Sequence, residues 1–299
     1  MPSLFTEDTY EQAIIELFED MGYDHLYAPD LDRDYSSPLL DAELRNGLVR
    51  INRGLPIEAI DEALAKLKNF DTGSLLQKNI IFMDYLQNGI TVRFFVKGEE
   101  QASIVRLIDY QNVKNNSFYV VNQFTFLENG NNRRPDIILF INGLPLVLME
   151  LKSPVKDEVG AGNAYHQIRN YMQDIPSIFY YNAICVISDL SSNKAGTITS
   201  GLDRFMEWKT KDGNYEDTGY ASFETFYEGM FQKVRLLNIL KNFILFSGTS
   251  NSRFKVLAAY HQYFAVRKAI EKAKVATKTD GKGGVFWHTQ GSGKSLSMV

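Results

Sequence analysis

An apolar segment with charged residues near its two ends constrains the fold of this chain more than any other feature. It reads Asp136-Ile-Ile-Leu-Phe-Ile-Asn-Gly-Leu-Pro-Leu-Val-Leu-Met-Glu150-Leu-Lys152. The Asn142-Gly143 pair between two short apolar runs is typical of a turn between antiparallel strands. The sequence therefore predicts a hairpin of two strands, 136–141 and 145–152, which are too apolar to form a solvated edge of a sheet.

The charged residues of this hairpin point to metal-dependent chemistry. Glu150 and Lys152 are two residues apart, so on a strand their side chains project from the same face. Charges in such apolar surroundings must be paired or metal-bound. Carboxylates hold Mg²⁺, a hard cation that prefers oxygen ligands, and a lysine can orient water and stabilise phosphoryl charge. We therefore predict Asp136, Glu150 and Lys152 as catalytic residues, with Asp136 and Glu150 as the Mg²⁺ ligands.

The register of the hairpin decides whether Asp136 can join the other two residues. A two-residue Asn142-Gly143 turn, continued without interruption, puts Asp136 on the face opposite Glu150. A three-residue loop, Ile141–Gly143, with the glycine in the left-handed conformation brings the two carboxylates to one face. The chemistry therefore predicts the three-residue loop, or an equivalent kink or bulge, and a positive φ at Gly143.

The remaining sequence has the alternating helical and strand patterns of an α/β protein. Apolar spacing predicts helices at 6–22, 35–46, 56–70, 160–172, 223–246 and 254–274. Further strands are predicted at 101–108, 118–126, 183–187 and 283–287. Gly248–Ser252 lies between the last two predicted helices and is the best candidate for a linker between domains.

Composition bounds the class of protein and its compartment. The 299 residues are 44% hydrophobic and 23% charged, an ordinary globular balance that allows two domains, or one domain and part of another. Cys185 is the only cysteine, which excludes an intramolecular disulfide and fits a reducing compartment. The first residues lack a signal-peptide pattern and the longest apolar stretch is too short to span a bilayer. We therefore expect a cytoplasmic protein without membrane contact.

Charge is distributed unevenly along the chain. Residues 1–60 carry four basic and 13 acidic residues, whereas residues 231–282 carry 11 basic and two acidic residues. The basic region can be a surface for a polyanion or simply a solvated helix face, and charge alone leaves both interpretations open.

The last residues have the pattern of a phosphate-binding loop. In such a loop, backbone N–H groups surround the phosphates, while here Lys294 would reach the β- and γ-phosphates and Ser295 the Mg²⁺. The general pattern has glycine where this chain has His288. The candidate ATP-binding residues of the loop are Gly291, Ser292, Gly293, Lys294 and Ser295. The chain stops four residues after Ser295, so we expect it to lack the later motor elements and not to hydrolyse ATP alone.

Several stretches resemble the restriction (R) subunits of type I restriction-modification enzymes. Residues 122–126, 133–154 and 164–189 are similar to the N-terminal nuclease domain of those subunits, which belongs to the PD-(D/E)xK class. The segment WHTQGSGKS and residues 259–270 are similar to the phosphate loop and adenine-reading segment of their helicase-like motor. The resemblance implies an α/β endonuclease domain over 1–250, a mixed sheet flanked by helices, and the beginning of a RecA-like motor domain over 251–299.

The resemblance also implies roles for individual residues. The acids and the lysine of the hairpin would be the catalytic triad of the nuclease motif. Gln167 and Tyr171, an i, i+4 pair on the following helix, would support the site and contact DNA. Members of this class often add a carboxylate from the first helix, for which Glu7 and Glu11 are both candidates. Gln262 would contact the adenine of ATP.

For the whole protein, the resemblance implies ATP-driven translocation of double-stranded DNA with Mg²⁺-dependent cleavage remote from the recognition site. The implied partners are DNA, a methyltransferase (M) subunit and a sequence-specificity (S) subunit. S-adenosylmethionine would act in that assembly, with no site in this chain. Sequence specificity is not expected to reside here.

Two other functions remain compatible with the sequence. The chain could belong to a stand-alone helicase-nuclease of repair or defence, which would not co-purify with M and S subunits. It could also be a non-catalytic DNA-binding or assembly domain, which would not bind Mg²⁺. The intact set of Asp136, Glu150 and Lys152 argues against the second alternative.

Overall fold

The computed structural model describes residues 6–70, 72–152, 161–189, 191–214, 222–249, 252–279 and 281–285. The helices in these ranges are α1 (Glu7–Asp20), α2 (Asp41–Ile51), α3 (Ile57–Lys68), α4 (Leu75–Asn88), α5 (Ala161–Asp174), α6 (Pro176–Tyr180), α7 (Ser222–Phe231), α8 (Lys233–Asn242) and α9 (Tyr260–Ala276). The strands are β1 (Asp24–Tyr27), β2 (Ile90–Val96), β3 (Glu99–Val105), β4 (Phe118–Asn122), β5 (Phe126–Glu128), β6 (Asn131–Arg133), β7 (Ile137–Ile141), β8 (Leu144–Leu151), β9 (Ile184–Ser188), β10 (Asn193–Gly196), β11 (Ile244–Ser247) and β12 (Phe254–Leu257).

Six strands form a central mixed sheet in the order β1-β4-β7-β8-β9-β10. β1 is parallel to β4 and β8 is parallel to β9, whereas the other neighbouring pairs are antiparallel. β2–β3, β5–β6 and β11–β12 are separate two-stranded pieces. Because β1, β4, β8 and β9 all run in one direction, their carboxyl ends meet at a single edge of the sheet.

Helices cover both faces of this sheet, which confirms the predicted α/β class with a mixed sheet flanked by helices. Leu139 of β7 belongs to a core shared with α1, α7 and α8, whereas its neighbour Ile138 belongs to a core shared with α5 and α6. This alternation follows from the two-residue period of a strand. Cys185 of β9 is fully buried in the second core, and burial raises the pKa of its thiol to about 12, so it is an inert core residue.

The turn between β7 and β8 differs from the prediction. It has two residues, Asn142 and Gly143, with φ values of 50° and 81°. The predicted three-residue loop is therefore wrong, whereas the positive φ of Gly143 is confirmed. The turn is packed against α2, since a β-carbon on Gly143 would lie 2.5 Å from the carbonyl oxygen of Leu40 and 2.6 Å from the backbone nitrogen of Leu44.

A bulge within β8 brings Asp136 and Glu150 to the same face of the hairpin, which the three-residue loop was expected to do. Phe140 pairs with Pro145 and Leu139 with Val147, so Leu146 has no partner on β7. Leu146 and Val147 consequently pack into the same core, although they are consecutive. One extra residue on one strand reverses the alternation beyond it.

The first helix begins and ends as its sequence predicts. Thr6 caps α1 through a reciprocal pair of hydrogen bonds with Thr9, and Tyr10, Ile14 and Phe18 form its buried stripe. The predicted helices 56–70 and 160–172 correspond to α3 and α5.

Other predicted elements are corrected by the structure. The segment predicted as helix 35–46 becomes helical only from Asp41, because Asp34 accepts hydrogen bonds from the backbone and hydroxyl of Ser36 in a turn, and Pro38 follows. The predicted helix 223–246 is two helices, α7 and α8, that meet at Gln232, whose side chain caps α8. Neither α4 nor the β2 strand was predicted.

The region around the proposed linker is also different from its prediction. β11 pairs with β12, so Gly248 follows one strand of a hairpin rather than a helix, and α9 begins only at Tyr260. The described part of the predicted strand 283–287, residues 283–285, is not a strand, and the rest lies outside the described residues. The division into domains at residue 250 remains a prediction. Within the described ranges, no helix is long and apolar enough to cross a membrane.

Candidate active site

The three catalytic candidates lie together at the edge of the sheet where β8 and β9 end. Asp136 directly precedes β7, Glu150 is in β8, and Lys152 directly follows it. Because Ile137 pairs with Met149, the register brings Asp136 opposite Glu150. The structure therefore groups the three residues as the sequence predicted, and their catalytic role remains a prediction.

Glu150 is the centre of this group. Its side chain is 0% exposed, and its Oε1 accepts a hydrogen bond of 2.6 Å from Nζ of Lys152. Its Oε2 is buried and has no hydrogen-bond partner among the described residues. Burial, reinforced by the negative charge of Asp136, raises the pKa of Glu150 to about 8 against the opposing effect of Lys152. Burial alone would lower the pKa of Lys152, but Glu150 outweighs it and the pKa is raised.

Asp136 is held by the backbone of the neighbouring strand. Its Oδ2 accepts a hydrogen bond of 2.7 Å from the N–H of Leu151. Burial raises the pKa of Asp136 to about 7, although the Leu151 N–H and Lys152 both act to lower it. The carboxylates of Glu7 and Glu11 raise it further. Within the described ranges, the site is therefore a largely buried group of carboxyl groups with Lys152 beside it.

This donor set fits a divalent cation. An unpartnered buried carboxylate oxygen, here Oε2 of Glu150, is costly unless a cation or a proton compensates its charge. Among the described residues, no three acidic, histidine or cysteine side chains converge closely enough to form a complete metal site. Two carboxylates and several water molecules are the usual coordination of Mg²⁺, so Asp136 and Glu150 are the residues that would hold it.

The first helix supplies two further carboxylates, which the structure distinguishes. Glu7 is partly exposed and its charge acts on Asp136, Glu150 and Lys152. Glu11 is only 8% exposed, and of these three groups its charge acts chiefly on Asp136. Glu7 thus acts on all three catalytic candidates through its charge, whereas Glu11 acts chiefly on Asp136.

The groups that anchor Glu11 were missed by the sequence reasoning. Nδ2 of Asn122 donates to Oε1 of Glu11 at 2.7 Å, and Nε2 of Gln123 lies 3.3 Å from both of its oxygens. Asn122 also forms a hydrogen bond of 3.0 Å with Nε2 of His25 in β1. Adjacent amides at the end of an apolar strand were the available signal, but nothing in the sequence indicated their common partner.

Gln167 and Tyr171 of α5 lie beside the catalytic candidates. Nε2 of Gln167 donates to the Tyr171 hydroxyl at 2.7 Å, and this hydroxyl lies 3.5 Å from the carbonyl oxygen of Arg134. The ring of Tyr171 is 4% exposed in the core between α5 and the sheet. Burial and then the charge of Glu150 raise its pKa, so the hydroxyl keeps its proton and can donate to the carbonyl oxygen of Arg134.

Comparison with known proteins identifies the family. Residues 4–204 match the family model of the type I restriction enzyme R protein N terminus. The chain belongs to this family. The type I restriction enzyme HindI endonuclease subunit of Haemophilus influenzae is 33% identical over 99% of this chain. The putative type I restriction enzyme MjaIXP endonuclease subunit of Methanocaldococcus jannaschii is 32% identical over 97% of it. The chain spans 30% of the length of each relative.

In this member of the type I R-protein family, a second match covers the end of the chain. Residues 261–299 match the family model of the SWI2/SNF2 ATPase, in agreement with the expected start of a motor. Gln262 lies in the first turn of α9, where its Oε1 accepts a hydrogen bond of 2.9 Å from the backbone of Ala259. It lines a cavity of about 440 Å³ with residues of α8, β11 and β12. The predicted ATP-binding residues 291–295 lie outside the described residues.

Proposed function

We propose that this chain is the nuclease module of a type I restriction R subunit and hydrolyses phosphodiester bonds of double-stranded DNA with Mg²⁺. The observation that carries the proposal is the buried Glu150 carboxylate, one oxygen of which accepts from Lys152, while the other has no partner in the part of the chain that the structure describes. Asp136 lies opposite it in the strand register. Family membership supports the same function, because the relatives are named as endonuclease subunits of type I restriction enzymes.

In this mechanism, Asp136 and Glu150 would hold Mg²⁺. The cation supplies charge neutralisation on the phosphoryl oxygens and lowers the pKa of water. Lys152, kept at 2.6 Å from Glu150, is positioned to orient the attacking water and to stabilise the negative charge that develops at phosphorus. The Leu151 N–H fixes the Asp136 carboxylate, so little rearrangement is needed when the substrate arrives.

For the whole protein, we propose that cleavage is coupled to ATP-driven translocation of DNA and takes place in an assembly with M and S subunits. The match of residues 261–299 to an ATPase family supports a motor that begins in this chain. Gln262 would contact adenine there, and Gly291 to Ser295 would surround the phosphates. The exposed basic residues of α9, among them Arg267, Lys268 and Lys272, are compatible with the proposed polyanion surface.

Substitution of the triad in the full-length protein tests this proposal. Asp136→Ala, Glu150→Ala and Lys152→Ala should each abolish DNA cleavage while ATP hydrolysis continues, because the two sets of residues belong to separate sites. Gel analysis of plasmid cleavage and release of phosphate from ATP measure the two activities. Glu58→Ala and Lys114→Ala, which change exposed residues away from the site, should affect neither.

A second measurement separates this proposal from a non-catalytic DNA-binding module. Calorimetric titration of Mg²⁺ should give binding that Asp136→Asn weakens strongly. Equal binding by both proteins, or retained cleavage by well-folded triad variants, would contradict the nuclease assignment. Purification of the full-length protein without M and S subunits from its own cells would favour a stand-alone helicase-nuclease.

A further inference from the structure

Gln123 has a backbone conformation that a glutamine rarely adopts. Its φ is 56°, in the left-handed region. Three other non-glycine residues in the described ranges share this region, and each of those three is followed by glycine in a tight strand-to-strand turn: Lys97, Asn129 and Asn142. Such turns require positive φ. Gln123 is followed by Phe124 and lies in no such turn, so its conformation needs another explanation.

The conformation directs two consecutive side chains to one carboxylate. In an extended strand, Asn122 and Gln123 would point to opposite faces of the sheet. Instead, Asn122 donates to Glu11 at 2.7 Å and Gln123 lies 3.3 Å from both oxygens of Glu11. The left-handed residue directly after β4 breaks the alternation and makes this double contact possible.

The chemical nature of these two donors is also informative. Carboxamides carry no formal charge, so they orient a carboxylate without cancelling its negative charge. A lysine or arginine in the same place would cancel it. Glu11 is nearly buried. Its partner Asn122 pairs across the sheet with Ile137, which directly follows Asp136, so Glu11 is held close to the site. Its charge also acts on Asp136. A fixed negative charge beside two candidate ligands favours a divalent cation at that position.

We propose that Gln123 is a positioning residue, whose left-handed backbone and carboxamide hold Glu11 as a fixed negative charge beside the cation site at Asp136 and Glu150. This role rests on the proposed Mg²⁺-dependent nuclease. Left-handed non-glycine residues are strained and persist only where the surrounding structure holds them in place. The proposal therefore predicts two effects of removing the Gln123 side chain. The backbone strain should be relieved, and the affinity of the site for a divalent cation should fall.

Gln123→Gly in the full-length protein tests both predicted effects. Glycine accepts positive φ without strain, so the thermal unfolding midpoint of the nuclease region should stay the same or rise. The loss of the carboxamide should lower Mn²⁺ affinity, measured by calorimetry without nucleotide, and kcat for DNA cleavage by about tenfold each. Gln123→Asn, which keeps a shorter amide and tolerates this backbone, should restore part of the Mn²⁺ affinity.

The matched control is Asn129→Gly, which changes another left-handed residue, in the exposed β5–β6 turn. It should leave Mn²⁺ affinity and cleavage unchanged. Unchanged Mn²⁺ affinity in Gln123→Gly would overturn the positioning role if Asp136→Asn still loses affinity. Unchanged affinity in Asp136→Asn as well would overturn the cation site and the positioning role together. A Gln123→Gly variant that unfolds at lower temperature would also contradict the proposal, since the residue would then be structural.

Discussion

At the scale of single residues, the buried acids that would hold the proposed cation should destabilise the fold when no cation is bound. Glu150 is buried, and the negative charge of the neighbouring Asp136 adds to the cost of ionising it. Among the residues that the structure describes, Glu150 forms an ion pair, with Lys152, and Asp136 forms none. Like charges in a largely buried site destabilise a folded protein, so the two acids should respond differently to neutral replacement.

Asp136→Asn should stabilise the cation-free protein by roughly 1 kcal/mol while it abolishes cleavage, because the amide oxygen can still accept from Leu151 and the poorly solvated charge is gone. Glu150→Gln should instead destabilise it, since Lys152 then loses its charged partner. Urea unfolding of the 299-residue chain in EDTA measures both effects. Destabilisation of equal size in both variants would show that repulsion between the two carboxylates does not decide the stability of the site.

Tyr171 offers a second test at this scale. Tyr171→Phe keeps the buried ring and removes only the hydroxyl that accepts from Gln167. Loss of one hydrogen bond of about 1 kcal/mol should lower kcat for cleavage roughly fivefold and leave Mn²⁺ affinity unchanged. Gln167→Ala should have a similar effect. A large fall in Mn²⁺ affinity in either variant would mean that the pair contacts the cation directly.

At the scale of elements, the β7–β8 hairpin decides the geometry of the site. Its turn is fixed against α2, and its bulge at Leu146 sets the face on which Glu150 lies. The turn and the site are separated by several residues on each strand, so the same hairpin can be tested at a position that contacts neither acid.

Gly143→Val should destabilise the hairpin strongly, for two reasons. Positive φ disfavours any residue with a β-carbon by about 1 kcal/mol or more, and the new β-carbon would overlap backbone atoms of Leu40 and Leu44. Gly98→Val is the matched control, because Gly98 has a φ of 85° and no atom within 4 Å of its added β-carbon. Urea unfolding should show a larger loss of unfolding free energy for Gly143→Val than for Gly98→Val, and Gly143→Val should also impair cleavage. Equal losses of unfolding free energy would mean that the positive φ, and not the contact with Leu40 and Leu44, determines the cost.

The hairpin also indicates what a single sequence can and cannot predict here. Apolar runs and the Asn142-Gly143 turn were sufficient to predict the two strands. The grouping of Asp136 with Glu150 was predicted from the chemistry of the charged residues, because the two-residue turn alone would place the two acids on opposite faces. The bulge position was not predictable, because pairing energies of consecutive leucines and valines differ too little to favour Leu146. The Gln123 conformation was not predictable either, since it depends on Glu11, which is distant in sequence.

At the scale of the whole molecule, a buried lysine connects the β11–β12 hairpin to the rest of the fold. Lys255 is 3% exposed, and its Nζ donates to Oδ1 of Asn79 at 3.1 Å and to the carbonyl oxygen of Asn182 at 2.7 Å. Within the described ranges, no carboxylate forms an ion pair with it. Its backbone is held by Thr197 and Thr199. The predicted boundary between nuclease and motor therefore lies close to a segment that is anchored in the nuclease core.

This lysine predicts a pH-dependent stability. Burial lowers the pKa of Lys255 from 10.5 to about 7, against a smaller opposing effect of Cys185. Between pH 7 and 10.5 the unfolded chain therefore binds more protons than the folded chain, so stability should rise with pH by at most about 1.4 kcal/mol per unit. Lys255→Met should remove this rise of the unfolding free energy with pH. Lys268→Met, at an exposed position of α9, should retain it. Urea unfolding at about pH 7.5, 8.5 and 9.5 measures the difference, and parallel curves for the wild type and Lys255→Met would contradict it.

The bulge at Leu146 has a consequence for how the acidic motif can vary among homologues. Thirteen residues separate Asp136 from Glu150, and apart from the two turn residues one of them, Leu146, has no partner across the hairpin. Deletion of Leu146 would leave every remaining pair between β7 and β8 aligned, whereas deletion of Leu148 or Met149 would turn Glu150 to the other face. Alignment gaps between the two acids should therefore fall at the bulge, and a motif search that fixes the spacing at one value would miss members that lack this single residue.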